Sequence, residues 1–405
     1  MKKGRSRKYR TLEVLRIASQ AVFFGLFLRL LLGAHYTGED YIGSTVQRFF
    51  HFDPLLALVT IVAARLVYAS FAFALVTVVA TVLFGRVFCG WVCPLGAVHQ
   101  ASSFAFKRAK FLKPPREDKA GLAPKYYILV AVLVGAAFGL DLAGYLDPLS
   151  FLTRSFALAV LPSVAHALAE LNGALYGLGL TGLARTISQA LQDWTINTTF
   201  VQGFSVGLFF LVAVALNARK ERFWCRYLCP TGALLGLLSR WNLLKLRIDE
   251  EKCIRCGLCT QHCQTQAVPY PNDKWKSGEC VYCETCASIC PTAAIGFRLS
   301  ARPERLDNVS DVALGRRKLL LTTLTSLVAV PLFRLTPSRK RASLELIRPP
   351  GALAEGKFLA KCVKCGQCMR ACPTGGLQPA LGEAGPEGLY TPMLVPKIGY
   401  CEYYC

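Results

Sequence analysis

The stretch from Cys253 to Pro291 constrains this chain most: CIRCGLCTQHC, a spacer of sixteen residues, then CVYCETCASICP. Each half reads Cys-x2-Cys-x2-Cys-x3-Cys. The two-residue gaps let three sulfurs converge from one tight loop, so a fourth must come from elsewhere. A [4Fe–4S] cube asks for four thiolates at tetrahedral corners, and where two such runs occur the fourth Cys of each ligates the other cube. Cys253, Cys256, Cys259 and Cys290 are therefore assigned to one cube, and Cys263, Cys280, Cys283 and Cys286 to another. Pro291 follows the last Cys as the pattern expects, whereas Gln264 stands where the first run would carry Pro. Zinc more often takes two separated C-x2-C pairs, and disulfide frameworks belong to small secreted chains.

The rest of the chain must house these cubes. At 405 residues it has length for two or three domains. Its residues are 53% hydrophobic and 18% charged, which points to a membrane protein. A net charge of +22 would suit nucleic acid, but the basic residues cluster beside apolar segments, at 1–10, 107–125, 219–226, 302–318 and 334–348. That is the distribution of cytoplasmic flanks, and it argues for membrane lipid and against nucleic acid as a partner. The eighteen cysteines fall in ligand spacings rather than disulfide ones. MKKGRSRKYR has no small-residue cleavage site behind it, so it reads as a basic cytoplasmic N-terminus (1–14) anchoring a retained span.

The expected fold class is mainly α: a polytopic membrane bundle with a two-cluster domain and a second, similar C-terminal region. The membrane domain covers 15–245, with spans near 15–33, 68–87, 126–146 and 200–217. The run Pro54–Phe84 would be too long as one helix, so a short re-entrant piece (54–65) precedes its span. Residues 34–53 and 151–193 are expected on the outer side. The two-cluster domain covers 246–300 and is expected to be cytoplasmic. A linker with twin arginine follows (301–318), then a fifth span or signal-like segment (319–335) and a C-terminal part (336–405), expected to be incomplete.

An internal repeat supports this layout. Asp53-Pro54-Leu55 precedes FCGWVCPLGA, and Asp147-Pro148-Leu149 precedes WCRYLCPTGA. Each half reads as an external Asp-Pro-Leu turn, a helix returning inward and a Cys-x3-Cys-Pro at its cytoplasmic end. Residues four apart share a helix face, so Cys89 with Cys93 and Cys225 with Cys229 each present two sulfurs together. Two readings stand: four ligands converging on one cluster, or two redox-active dithiols. The five histidines, His35, His51, His99, His166 and His262, do not face each other within spans as a haem bundle requires. His35 and His51 on the outer side have the chemistry to bond a quinone head group. At the other end CVKCGQCMRACP repeats the ligand run through Cys362, Cys365, Cys368 and Cys372, and CEYYC adds Cys401 and Cys405. How these six divide between C-terminal clusters is left open.

With FCGWVCPLG, WCRYLCPTG and the eight-cysteine region in view, residues 10–300 resemble the NapH/MauN/NosR-type membrane polyferredoxins. The remainder, from Arg316-Arg317 through FLAKCVKCGQCMRACPTGGLQPAL, resembles the periplasmic NapG/MauM ferredoxins, although it has one complete run where those carry four. The resemblance implies at least two and as many as three or more [4Fe–4S] clusters in an inner-membrane electron-transfer protein. It implies a quinol dehydrogenase component that takes electrons from quinol and passes them to a periplasmic or membrane redox partner. It places the C-terminal part in the periplasm. A metal reductase of the FixG/CcoG type for cofactor assembly is expected to end in a β-rich domain, and a NosR-type accessory protein to begin with a large flavin-type domain. No general base or nucleophile emerges, so electron relay is the expected chemistry.

Overall fold

In a computed structural model the chain is mainly helical, with two small two-stranded sheets. The structure describes residues 7–34, 46–110, 121–191, 199–270, 275–300, 315–335 and 346–402. His35 and Cys405 lie outside the described residues.

Helix α1 (Arg7–Leu32) has 26 residues, a length of about 39 Å at the α-helical rise. Val14, Ile17 and Val22 stand exposed along it. After α2 (Gln47–His51) comes α3 (Pro54–Ala64), which stops where expected, at Arg65 with φ 54. A left-handed residue cannot continue the helix, and the chain restarts through a single 3-10 turn into α4 (Ala72–Phe84). A π-helical turn, Phe88–Val92, leads into α5 (Pro94–Arg108), and α6 covers Pro124–Ala137.

The span expected over 126–146 is therefore a helix of 14 residues, ended by Gly139 at φ 77 and followed by the short α7 (Ala143–Leu146). The segment 151–193, expected on the outer side, is taken up by α8, continuous from Pro148 to Gly177, with α9 (Thr181–Leu191) folded back on it. Asn172 Nδ2 donates to Ser188 Oγ at 2.7 Å across that hairpin. Among the described residues α1 and α8 are long and apolar enough to cross a membrane, while α3, α6, residues 69–84 and residues 203–218 are apolar but shorter.

The acids of the two Asp-Pro-Leu turns, Asp53 and Asp147, are fully buried within the protein. Each is a helix N-cap with Pro at the next position. Asp53 Oδ1 accepts from Leu55 N at 2.9 Å and Leu56 N at 3.2 Å; Asp147 Oδ2 accepts from Leu149 N and Ser150 N at 3.0 and 2.9 Å. The side chains face one another, and Asp147 also accepts from Thr231 Oγ1 at 2.7 Å. The acids serve helix ends in the interior, so their charge says nothing about a membrane side. Asp53→Ala is expected to cost about 0.5–2 kcal/mol as a lost cap. Asp53→Asn should stay near wild type, because the amide keeps the cap acceptor and offers Asp147 a donor; comparing the two variants by denaturant unfolding checks this.

Next come α10 (Gly203–Ala215), α11 (Phe223–Tyr227) and α12 (Pro230–Leu238). The first cysteine-rich module is a two-stranded frame, β1 (Leu244–Ile248) antiparallel to β2 (Ile295–Leu299), with Leu244 opposite Leu299 and Ile248 opposite Ile295. It encloses α13 (Leu258–Gln261) and α14 (Thr285–Ile289). Helix α15 (Arg316–Leu335) takes in the twin arginine, expected as linker, and packs along α6. The second module holds α16 (Glu355–Lys361), α17 (Gln367–Ala371) and the pair β3 (Leu377–Pro379) and β4 (Pro392–Leu394).

Helix α1 fixes where these modules sit. Near its start Glu13 Oε2 accepts from Ser288 Oγ of the first module at 2.7 Å. At its end the Leu31 carbonyl accepts from Arg370 Nε of the second at 3.2 Å. The stretch of helix between those two contacts spans roughly 27 Å. The modules occupy opposite ends of the bundle.

Candidate functional site

In the first module the folded chain brings together the cysteines that spacing groups. Cys253, Cys256, Cys259 and Cys290 line one small cavity. Cys286 lies within electrostatic reach of Cys283, Cys280 and Cys263. Burial pushes the Cys286 thiol well up, and the neighbouring sulfurs push it further. Thiols so gathered are stable as thiolates only around cations. Among the described residues no three His, Cys, Asp or Glu side chains close on a single metal ion. Backbone N–H groups already point at sulfur: Ala267 N to Cys263 Sγ at 3.2 Å and Ala294 N to Cys290 Sγ at 3.3 Å. The donor set fits iron–sulfur clusters.

The loops also share an unusual backbone. In CIRCG, Arg255 and Gly257 have φ 55 and 71; in CVYCE, Tyr282 and Glu284 have 50 and 59; in CVKCG, Lys364 and Gly366 have 55 and 80. Left-handed conformation costs a non-glycine residue about 1–2 kcal/mol. Repeating it at the same two positions in three loops ties the strain to a common task. The C-terminal run is thus built like the two internal ones, and Cys368 lies within reach of Cys365 and Cys362. Cys372 is buried. Thr374 Oγ1 donates to the Tyr400 carbonyl at 2.6 Å, which carries Cys401 back toward Cys372.

The two Cys-x3-Cys-Pro repeats converge. Cys89 lies in the π-helical turn and Cys225 in α11; Cys93 and Cys229 are the N-caps of α5 and α12, with Pro94 and Pro230 opening those helices. Cys229 is within electrostatic reach of Cys225, Cys89 and Cys93, and Gly232 N donates to its sulfur at 3.1 Å. Helix N-termini favour negative charge, and two of them meet here. Arg222 NH1 donates to the Cys89 carbonyl at 3.4 Å, and the guanidinium also lies near Cys225.

Sequence reasoning missed the seam that seats the first module on this centre. Glu279, beside Cys280, is 1% exposed. It accepts from Arg86 NH1 at 3.2 Å, from Tyr126 OH at 2.9 Å and from Lys125 Nζ. Burial alone would push Glu279 up, but Lys125 and Arg86 beside it hold it below the usual carboxylate range. Arg86 NH1 also donates to the Gly278 carbonyl at 3.0 Å, and Trp91 Nε1 donates to the Tyr282 carbonyl at 3.0 Å. Gly236 and Gly278 touch backbone to backbone; a Cβ on either would fall within 2.9 Å of the other's carbonyl oxygen. The nearby charges and glycines lie far apart in sequence, so no local pattern announces the seam.

The histidines have ordinary places. His99 is buried, with Nδ1 2.6 Å from Asn217 Nδ2. His262 Nδ1 lies 3.0 Å from the Leu258 carbonyl, and His166 is exposed beside Glu170. His51 lines a cavity against the C-terminal loop.

Comparison with known proteins finds 4Fe-4S binding domain families over several of these segments. One 4Fe-4S binding domain family matches residues 66–112 and 202–249, which hold the two repeats. A second, also described as a 4Fe-4S binding domain, matches residues 246–268 and 358–378. The ferredoxin-type protein NapH of Haemophilus influenzae is 26% identical over 261 residues, 64% of this chain and 73% of that protein. The methylamine utilization ferredoxin-type protein MauN of Methylorubrum extorquens is 25% identical over 223 residues, 54% of this chain and 62% of its own. The ferredoxin-type protein MauM of that organism is 44% identical over 78 residues, 19% of this chain and 34% of its own. No solved structure matches the chain.

Proposed function

We propose that this chain, a NapH/MauN-type ferredoxin-type protein that carries several [4Fe–4S] clusters and transfers electrons, takes electrons from membrane quinol and conducts them to a redox partner protein outside the membrane. The observation that carries this reading is the placement of cysteine-rich modules at both ends of α1, with Cys89, Cys93, Cys225 and Cys229 gathered in between. A [4Fe–4S] cluster supplies a one-electron carrier whose potential follows charge, burial and hydrogen bonds to sulfur.

In this reading Cys253, Cys256, Cys259 and Cys290 hold one cluster and Cys263, Cys280, Cys283 and Cys286 another. The four repeat cysteines hold a third, favoured over dithiols because a 4Fe-4S binding domain family matches both repeats. Cys362, Cys365 and Cys368 contribute to a C-terminal one. The N–H groups of Ala267, Ala294 and Gly232 support the thiolates, and Arg86 and Arg222 offset their charge.

The apolar skins of α1, α4 and α10, with Val22, Val76 and Leu211 more than half exposed, suit an inner-membrane protein with several crossings. The first module then faces the cytoplasm, beside the basic N-terminal end, and the C-terminal module faces the periplasm. The test is anaerobic addition of quinol to the iron-loaded protein in lipid vesicles, followed by the visible and EPR spectra of the clusters. Reduction by quinol supports the reading. Clusters that dithionite reduces but quinol never does contradict it and favour a cofactor-assembly reductase.

A further inference from the structure

Between the α2–α3 corner, the turn at Tyr68–Phe71 and the loop Lys361–Cys368 lies a cavity of about 660 Å3. The matching loop of the first module closes around only about 20 Å3. A cluster on Cys362, Cys365 and Cys368 would fill one corner, and the remaining space has the size of a small-molecule site.

Two buried polar atoms in its wall lack partners. Thr60 and Gln367 are 5% and 7% exposed, yet Thr60 Oγ1 and Gln367 Nε2 make no hydrogen bond. A helical threonine can return its hydroxyl to the carbonyl four residues back, as Thr81 and Thr153 do at 2.7 Å; Thr60 does not. A buried polar group left unpaired costs about 1–3 kcal/mol, and a ligand with polar atoms in the cavity would supply these two with partners. The rest of the wall is aromatic and aliphatic, with Phe50, Tyr68 and Phe71 among its residues. His51, in the same wall, is only partly buried; burial pushes its imidazole below the ordinary value, which favours the neutral ring with one donor and one acceptor nitrogen. Leu66 and Val67, exposed at 49% and 80% just before Tyr68, give the approach an apolar surface.

We propose that this cavity binds the head group of a lipophilic quinone or hydroquinone, its ring among Phe50, Tyr68 and Phe71 and its oxygens against Thr60, Gln367 and His51. The proposal rests on the quinol reading above and adds the site. Reaching it from the apolar surface, the ligand would sit directly against Cys362, Cys365 and Cys368.

The test uses the iron-loaded protein in lipid nanodiscs, with decylubiquinone as the probe in equilibrium binding. Wild type is expected to bind it saturably. Thr60→Val, which removes one hydroxyl without adding bulk, should weaken binding roughly tenfold, as expected for the loss of one buried hydrogen bond. Thr60→Phe, which fills the space, should abolish binding. Iron content and visible spectrum identify variants that fold and load normally. Absence of saturable binding to wild type, or wild-type affinity in both variants, overturns the site. Quinol reduction of the clusters that persists in Thr60→Phe would also overturn it while leaving the quinol reading intact. Saturable, Thr60-dependent binding with no cluster reduction would keep the site and overturn that reading.

Discussion

Glu279→Leu is expected to destabilise the protein by about 3–5 kcal/mol, the usual cost of removing one partner of a buried ion pair. The carboxylate is almost fully enclosed and answers two cations at once, Arg86 and Lys125. Leucine would leave both charges in a site with no access to water, and Tyr126 OH would lose its acceptor. The seam should open first, because Arg86 and Gly278 hold the first module against the repeats. Limited proteolysis and denaturant unfolding would read this as early release of residues 246–300. The same group sets an acid limit. Its folded value lies below the unfolded one, so its contribution is fully present above an ordinary glutamate pKa of about 4.3 and is lost as pH falls through the lower folded value. The seam should therefore hold at neutral pH and weaken progressively once pH falls below the ordinary glutamate value of about 4.3.

The second large effect belongs to the opposite end. Arg154, 1% exposed, donates through NH1 to the Gly144 carbonyl at 2.9 Å and the Lys364 carbonyl at 3.0 Å, and through NH2 to the Tyr145 carbonyl at 3.1 Å. Its guanidinium lies 4.8 Å from the Tyr390 ring centroid. One side chain thus ties α8 to the CVKC loop and to the far edge of the C-terminal module. Arg154→Met keeps most of the volume but orphans three carbonyls, each worth about 1–3 kcal/mol when left buried and unpaired. The expected loss is about 3–5 kcal/mol, allowing for non-additivity. It should release the C-terminal module to protease while the spectrum of the first module stays intact. Release of both modules together would mean that the two ends are not independently held.

Much of the site is legible in the sequence because cluster chemistry dictates spacing. The cysteine groups of the first module follow from two-residue gaps and the exchange of the fourth ligand, and the structure gathers the same residues. The break near Arg65 is legible as well, since an apolar run that long cannot be one membrane helix. Other features depend on what residues meet after folding. Nothing local to Asp53 and Asp147 in the sequence announces that the two buried carboxyls face each other. The segment after Pro148 looks interrupted by glycine, yet it runs as one helix to Gly177. Glu279, Lys125 and Arg86 have no local signature, and the cavity at Thr60 is assembled from three remote segments. Spacing encodes the ligands; tertiary contact alone encodes what holds them and what approaches them.

In the proposed relay the two repeats jointly hold one cluster between the two modules. Iron per chain and the EPR spectrum of the reduced protein, measured for wild type and for the Cys89→Ser, Cys225→Ser double variant, test it most directly. The double variant is expected to lose about four irons, one cube, together with one EPR-active centre, while the signals of the two clusters in residues 246–300 remain. An unchanged iron count and spectrum in the double variant would contradict it and make the four cysteines dithiols.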